Sequence, residues 1–188
     1  TPVREAINRL ESEGLVKIFP KKGIYVTDIQ LKDVLQIFQA RLEIEPVALR
    51  MAAPHLPLEE LQKFQNTFMQ EFPDMQNGFR LDTAMHLFII EYCGNHYIID
   101  MMHKLFDDNT KVVIASKQNL TQIHDARLEH LEIINALIDK EYDKAQELMR
   151  AHIETCRYAA LNYFYSMDLC STSTPETYKS HLDKSSII

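Results

Sequence analysis

Long stretches in which apolar residues recur every three or four positions fill most of this sequence of 188 residues. That spacing places apolar side chains on one face of an α-helix, and about six such stretches follow one another between residues 31 and 166. Only 4 residues are glycine, which is few for the turns of a sheet protein. The sequence therefore predicts a mainly α fold whose larger part is an all-helical bundle of about six helices.

The composition narrows the class of protein further. Hydrophobic residues make up 46% of the chain and charged residues 25%, so a sizeable core can form. No apolar run approaches the roughly 18 residues that a membrane helix needs. The three cysteines form no C-x-x-C pair and are typical of reduced thiols. We therefore expect a cytoplasmic protein with no membrane partner.

The first thirty residues follow a different pattern. Thr1 is a candidate helix N-cap, Pro2 suits the first helical position, and Gly14 can end the helix. Two short runs rich in β-branched residues, 15–19 and 24–29, then flank a Pro-Lys-Lys-Gly turn and predict a hairpin. A helix followed by a hairpin with a basic tip is the last part of a winged helix-turn-helix.

Charge is distributed unevenly between this part and the rest of the chain. Residues 1–29 carry five basic and four acidic residues, whereas the remainder carries 15 basic and 23 acidic residues, for a net charge of −7 overall. An acidic surface repels the phosphate backbone of DNA. The first thirty residues therefore form the one plausible nucleic-acid surface.

One carboxylate and three imidazoles lie on the apolar faces of three predicted helices. Asp82 and His86 are one turn apart on the third helix of the bundle, which runs from about Phe79 to Cys93; His130 lies on the fifth helix and His152 on the sixth. Four buried polar groups without partners would cost about 1–3 kcal/mol each. A shared cation would satisfy all four, and three nitrogens and one oxygen suit zinc, which we expect first, or Ni, Mn, Fe or Co.

Arg41 lies among apolar residues on the first helix of the bundle. A buried guanidinium needs an anion, because an unpaired charge is costly away from water. A salt bridge to a nearby glutamate would satisfy it, and so would the carboxylate of a bound ligand. The sequence leaves both interpretations open.

The predicted boundaries give three regions: residues 1–30 as the winged-helix part, 31–166 as the helical domain and 167–188 as a polar tail. Within the bundle, residues 72–78 predict a turn. Gly94 and Asn95 are placed to end one helix and to cap the next.

The segment TPVREAINRLESEGLV, followed by KKGIYVTDI, resembles the recognition helix and wing of GntR-type bacterial transcription regulators. The resemblance implies that the helix beginning at Thr1 enters the major groove of a double-stranded DNA operator, with Arg4 at a base edge or phosphate. It also implies that Lys21, Lys22 and Gly23 approach the DNA backbone. The family's two preceding helices are missing, so a fragment of a longer domain is expected.

Residues 31–165 are similar to the helical effector domain called FCD, through RLEIEPVALRMAA, D-T-A-M-H, CGN, EH and M-R-A-H. The resemblance implies metal ligands at Asp82, His86, His130 and His152, and an effector-binding role for Arg41. It implies a homodimeric regulator that binds DNA and responds to a small organic acid.

Two other functions fit parts of the sequence. A helical metal site also suits a hydrolase, and His124-Asp125 mimics the paired motif of HD-type phosphohydrolases. No H-E-x-x-H, P-loop or G-x-S-x-G motif accompanies it, so we expect a protein that is not an enzyme. A DNA-binding dimer with a purely structural metal is the other alternative.

Overall fold

The computed structural model describes residues 2–70, 75–116 and 126–171. These residues form seven α-helices, one antiparallel hairpin and a short 3₁₀ turn at Ala53–His55. The elements in chain order are α1 (Pro2–Ser12), β1 (Val16–Phe19), β2 (Gly23–Val26), α2 (Leu31–Ala52), α3 (Leu58–Phe68), α4 (Met75–Glu91), α5 (His96–Ser116), α6 (Arg127–Ile138) and α7 (Tyr142–Ser171). The predicted mainly α fold, with a helix and hairpin before a six-helix bundle, is confirmed.

Backbone hydrogen bonds define the end of α1. Gly14 has a φ of 71°, and its N–H donates to the Glu11 carbonyl, while the Leu15 N–H donates to the Leu10 carbonyl. This pair of bonds is the Schellman motif, in which glycine takes the left-handed conformation at low cost. The hairpin that follows pairs Val16 with Val26 and Phe19 with Gly23. Thr1, the predicted N-cap, lies outside the described residues.

No residue of α1 is buried, and Val3 and Leu10 of its apolar stripe are exposed. The core lies instead between the six helices of the bundle. Helix α2 packs against α7, α4 and α5, and α6 packs against α7 and α3. Because α2 is central, its side chains can reach the interior from which α4, α6 and α7 also present residues.

Three predicted boundaries meet different outcomes. Gly94 has a φ of 73°, and the Asn95 side chain accepts a hydrogen bond from the Tyr97 N–H at 3.1 Å, so this pair ends α4 and caps α5 as expected.

The predicted turn at 72–78 is wrong from Met75 onward, where α4 begins. Gly78 lowers helix stability by only about 1 kcal/mol, which the following apolar turns offset. Helix α7 continues to Ser171, past residue 166, because neither Gly nor Pro interrupts it.

None of the helices described combines the length and the apolar character needed to cross a membrane.

Candidate metal centre

Asp82, His86, His130 and His152 meet at one point inside the bundle. One ligand atom from each lies within 4.8 Å of the others. The Nε2 atom of His152 is 3.1 Å from Nε2 of His86 and 3.2 Å from Nε2 of His130. Asp82 Oδ1 lies 3.0 Å from His130 Nε2 and 3.9 Å from His86 Nε2. The structure thus brings together all four residues that the sequence singled out.

The surroundings of these atoms are almost dry. The three histidines are 1–2% exposed, and 20% of the Asp82 side chain is exposed. Phe106 packs against the His86 ring and Phe68 against the His130 ring, at centroid distances of 5.5 and 5.0 Å. In such a setting each polar atom needs a partner within the protein or a bound ion.

Two carboxylates contact the Nδ1 atoms of His86 and His152, on the side of each ring that faces away from the cluster. His86 Nδ1 is 2.6 Å from Glu45 Oε2, and His152 Nδ1 is 2.9 Å from Glu129 Oε2. Metal-binding histidines commonly donate their second ring nitrogen to a carboxylate, which fixes the orientation and tautomer of the ring. The arrangement at His86 and His152 has this form.

The protonation states follow from these contacts. Burial alone would raise the pKa of Glu45, but Arg41 and His86 outweigh burial and lower that pKa to about 2. An ionised Glu45 can only accept hydrogen bonds, so His86 Nδ1 carries the proton. Burial lowers the pKa of His152 to about 4, against the opposing bond to Glu129, so this ring is neutral at pH 7 and donates through Nδ1.

The tautomers assigned from these partners leave an unfavourable contact. When His86 and His152 are neutral and both donate through Nδ1, their Nε2 atoms direct lone pairs at each other across 3.1 Å. Burial alone would raise the pKa of Asp82, but its hydrogen bond and electrostatic interaction with His130 hold this pKa well below its usual range. A cation among these atoms would satisfy the lone pairs and the carboxylate together. The residues present therefore fit a transition-metal ion.

Arg41 lies next to this cluster and is 3% exposed. Its Nε donates to Glu45 Oε1 at 2.6 Å and its Nη1 to Asn109 Oδ1 at 3.2 Å, while Phe38 and Phe106 lie within 5.4 Å of the guanidinium. Nη2 is buried and has no hydrogen-bond partner among the residues that the structure describes. The salt bridge to a nearby glutamate is therefore present, and the N–H groups of Nη2 remain available for a further anion.

Sequence reasoning missed four residues around the cluster: Glu45, Glu129, Asn109 and Cys156. The Cys156 Sγ atom lies 3.7 Å from His152 Nε2, and burial raises the pKa of its thiol. Two signals in the sequence point to the acidic pair, because Glu45 follows Arg41 by one helical turn and Glu129 precedes His130 directly. Nothing in the sequence pattern points to Asn109.

The residues expected at DNA lie at the other end of the chain. Arg4 is exposed on α1, and Lys21, Lys22 and Gly23 are exposed at the turn of the hairpin, where Lys21 has a φ of 64° and Gly23 a φ of 117°. Thr1 lies outside the described residues, and so does the His124-Asp125 pair of the hydrolase alternative. The candidate DNA-contacting residues that the structure describes are thus all exposed.

Comparison with protein families matches residues 36–155 to the FCD domain and residues 1–26 to the gntR family of bacterial regulatory proteins. Among curated proteins, the HTH-type transcriptional repressor GlaR of Escherichia coli K12 is 28% identical over 171 residues, which cover 82% of this chain and 76% of the repressor.

Solved structures share the fold. A GntR family member from Pseudomonas syringae superposes with a TM-score of 0.62 at 22% identity, covering 91% of this chain and 73% of that one. The Zn²⁺-bound FCD domain of the regulator TM0439 superposes with a TM-score of 0.61 at 19% identity, covering 74% of this chain and 99% of that domain.

Proposed function

Because the chain belongs to the FCD-domain transcriptional regulators of the GntR family, we propose that it responds to a small carboxylic acid through a divalent transition metal held by Asp82, His86, His130 and His152. The family consists of regulators and not of enzymes, so the hydrolase alternative is set aside. The observation that carries the proposal is the 3.1 Å approach of the Nε2 atoms of His86 and His152, whose Nδ1 atoms each face a carboxylate. Zinc is the first candidate, supported by the ion in the FCD domain of TM0439.

The spacing of the ligand atoms supports a site with open positions. Neighbouring ligand atoms at the corners of an octahedron with bonds of about 2.1 Å are about 3.0 Å apart, and those of a tetrahedron about 3.4 Å. Three of the separations here are 3.0, 3.1 and 3.2 Å, and one is 3.9 Å. Four protein ligands packed this closely leave room for oxygen atoms of water or of an acid.

The charges around the site make binding of an acid depend on the metal. Three carboxylates, those of Glu45, Asp82 and Glu129, surround the site with the guanidinium of Arg41 among them. This excess of negative charge repels an anion unless a divalent cation offsets it. Arg41 Nη2, buried and without a partner in the described part of the chain, is the donor that we assign to the acid.

The response must reach the DNA-reading end of a homodimer. We propose that Arg4 contacts bases or phosphates and that Lys21 and Lys22 contact the backbone of each half-site. Half-sites one helical turn apart place paired recognition helices about 34–36 Å from each other. The acid acts through its different affinity for the arrangements of the dimer that fit and do not fit this spacing.

Metal analysis joined to a DNA-release assay tests this function. Purified full-length protein should carry roughly one zinc-class ion per chain, and it should bind the DNA upstream of its own gene. A panel of small mono-, di- and hydroxycarboxylic acids is then added, and one of them should release or strengthen the complex only while metal is present. Bound metal with no response to any acid would favour a purely structural ion, and the absence of metal would overturn the proposal.

A further inference from the structure

Glu45 joins the candidate metal centre to Arg41 through its two oxygens. Oε1 accepts from Arg41 Nε and Oε2 from His86 Nδ1, each at 2.6 Å, and the side chain is 2% exposed. We infer that Glu45 is a positioning residue, which fixes the tautomer of His86 for metal binding and holds Arg41 in place for the acid. The inference rests on the proposed function and assigns a residue that connects its two ligands.

The chemistry of the carboxylate determines what each partner does. An ionised carboxylate accepts hydrogen bonds and donates none, so both Arg41 and His86 must present N–H groups to it. His86 then turns an unprotonated Nε2 toward His152 and Asp82, which is the form that can bind a metal. The same bond raises the basicity of the imidazole and so strengthens it as a ligand.

Glu45 also orients the guanidinium. With Nε bonded to Glu45 and Nη1 to Asn109, the planar fork of Arg41 has fixed directions, and Nη2 is left to point at a ligand. An acid that binds Nη2 and shifts the guanidinium therefore also shifts Glu45, and this changes the hydrogen bond between Glu45 and His86. Metal and acid should consequently affect each other's affinity through this one side chain, and linkage makes that effect reciprocal.

Glu129 offers a matched control on a different helix. It holds His152 Nδ1 at 2.9 Å in the same way, and 30% of its side chain is exposed. A general loss of negative charge near the ion would affect Glu129→Gln and Glu45→Gln alike. A loss of the His86 tautomer should occur only in Glu45→Gln.

Glu45→Gln tests the inference with two measurements. The glutamine oxygen can still accept from Arg41, but its amide then presents N–H groups to His86 Nδ1, so the proton of that ring moves to Nε2. We expect zinc affinity to fall about 10–100-fold, as measured by competition with a chromophoric chelator. In the metal-free protein, ¹⁵N-¹H spectra of the histidine rings should show His86 as the Nε2–H tautomer in Glu45→Gln and as Nδ1–H in both the wild type and Glu129→Gln.

Should Glu45→Gln fail to fold because Arg41 stays charged, Arg41→Gln is compared with the double variant Arg41→Gln/Glu45→Gln, which removes both charges. The same loss of zinc affinity is expected between these two proteins. Wild-type zinc affinity or an unchanged His86 tautomer after loss of the carboxylate overturns this inference alone. A wild-type chain that takes up no metal overturns the proposed function and this inference with it.

Discussion

At the scale of single residues, three imidazoles direct their Nε2 atoms at one buried point, and a bound ion would make that arrangement favourable. Among the candidate ligands, His130 contacts Asp82 most closely, at 3.0 Å. Replacing His130 with alanine would remove one of the four candidate ligands and the closest partner of Asp82. The effect on metal binding should therefore exceed that of changing a supporting carboxylate.

His130→Ala should lower zinc affinity by more than about 100-fold. Loss of the carboxylate that holds the second ring nitrogen of a metal-binding histidine already costs about 10–100-fold, and this variant loses a ligand itself. Elemental analysis after dialysis measures the remaining metal. His103→Ala serves as the control, since this ring is 46% exposed and pairs with Glu91 at the surface. Full metal content in His130→Ala, or equal loss in both variants, would mean that the ion binds elsewhere.

Arg41→Lys tests the donor assigned to the acid. Lysine keeps the positive charge but has one ammonium group, which can remain with Glu45 or reach the acid but cannot hold both in fixed directions. Loss of a hydrogen bond between charged groups costs about 1.5–3 kcal/mol, so the acid concentration for half-maximal response should rise about 10–100-fold. Metal content should stay near that of the wild type. An unchanged acid response would assign the acid to other residues.

The helical period predicts which residues face the interior, and this explains why the sequence revealed the four candidate ligands. Asp82 and His86 share a face at a spacing of four, and His130 and His152 lie on apolar stripes of their own helices. Glu45 is different, because 41 positions separate it from His86 and their contact depends on how α2 lies against α4. Periodicity specifies the face of one helix and carries no information about that packing.

At the scale of elements, the candidate ligands lie on α4, α6 and α7, so a bound ion would cross-link three helices. Helices α6 and α7 pack directly on each other, whereas α4 and α6 share a smaller contact. An ion should therefore stabilise α4 most against its neighbours. Hydrogen exchange along α4 should slow when metal is added.

Removal of metal should lower the melting temperature. A ligand at about 1,000 times its Kd stabilises the folded state by about 4 kcal/mol, which corresponds to roughly 8–16 °C for a chain of this size. Differential scanning fluorimetry with and without EDTA measures the shift. His130→Ala should melt at the same temperature in both conditions. A similar EDTA effect in that variant would place the stabilising ion outside the four-residue cluster.

Gly94→Ala should destabilise the junction between α4 and α5 by about 1–2 kcal/mol, because Gly94 has a φ of 73° and alanine is strained in the left-handed conformation. No described atom lies within 4 Å of the position that the alanine Cβ would take, so the cost is conformational and not steric. Gly94→Asn should cost less, since asparagine tolerates this conformation. Urea denaturation compares the three proteins. Equal stability of all three would contradict the assigned cap.

The ends of the helices were predictable where a side chain or glycine specifies them, as at Gly14 and at Gly94-Asn95. The start of α4 and the extension of α7 past residue 166 were not, because packing decides how far a helix extends. Met75 begins α4 inside a segment whose Pro73, Asp74 and Gly78 are typical of a turn. Local preferences there are weaker than the contacts of the apolar turns that follow.

At the scale of the whole molecule, basic residues expected at DNA are confined to a small exposed unit on an acidic body. Residues 30–188 carry 23 acidic and 15 basic residues, whereas the helix and hairpin carry five basic and four acidic residues. The body therefore contributes repulsion to DNA binding, and a few lysines and arginines must provide the attraction. This makes each wing lysine more important than in a uniformly basic protein.

Lys21→Ala/Lys22→Ala should weaken DNA binding by a similar factor for every sequence, because backbone contacts carry no base information. Each phosphate contact contributes about 0.9 to the slope of log K against log salt, so loss of two lysines from each protomer of a dimer should reduce the slope by roughly 3–4. Lys104→Ala/Lys144→Ala removes the same charge from exposed positions on α5 and α7 of the acidic body. Fluorescence anisotropy at several salt concentrations measures both slopes. If the control pair lowers the slope as much as the wing pair, long-range charge and not contact at the wing governs binding, and the wing assignment fails.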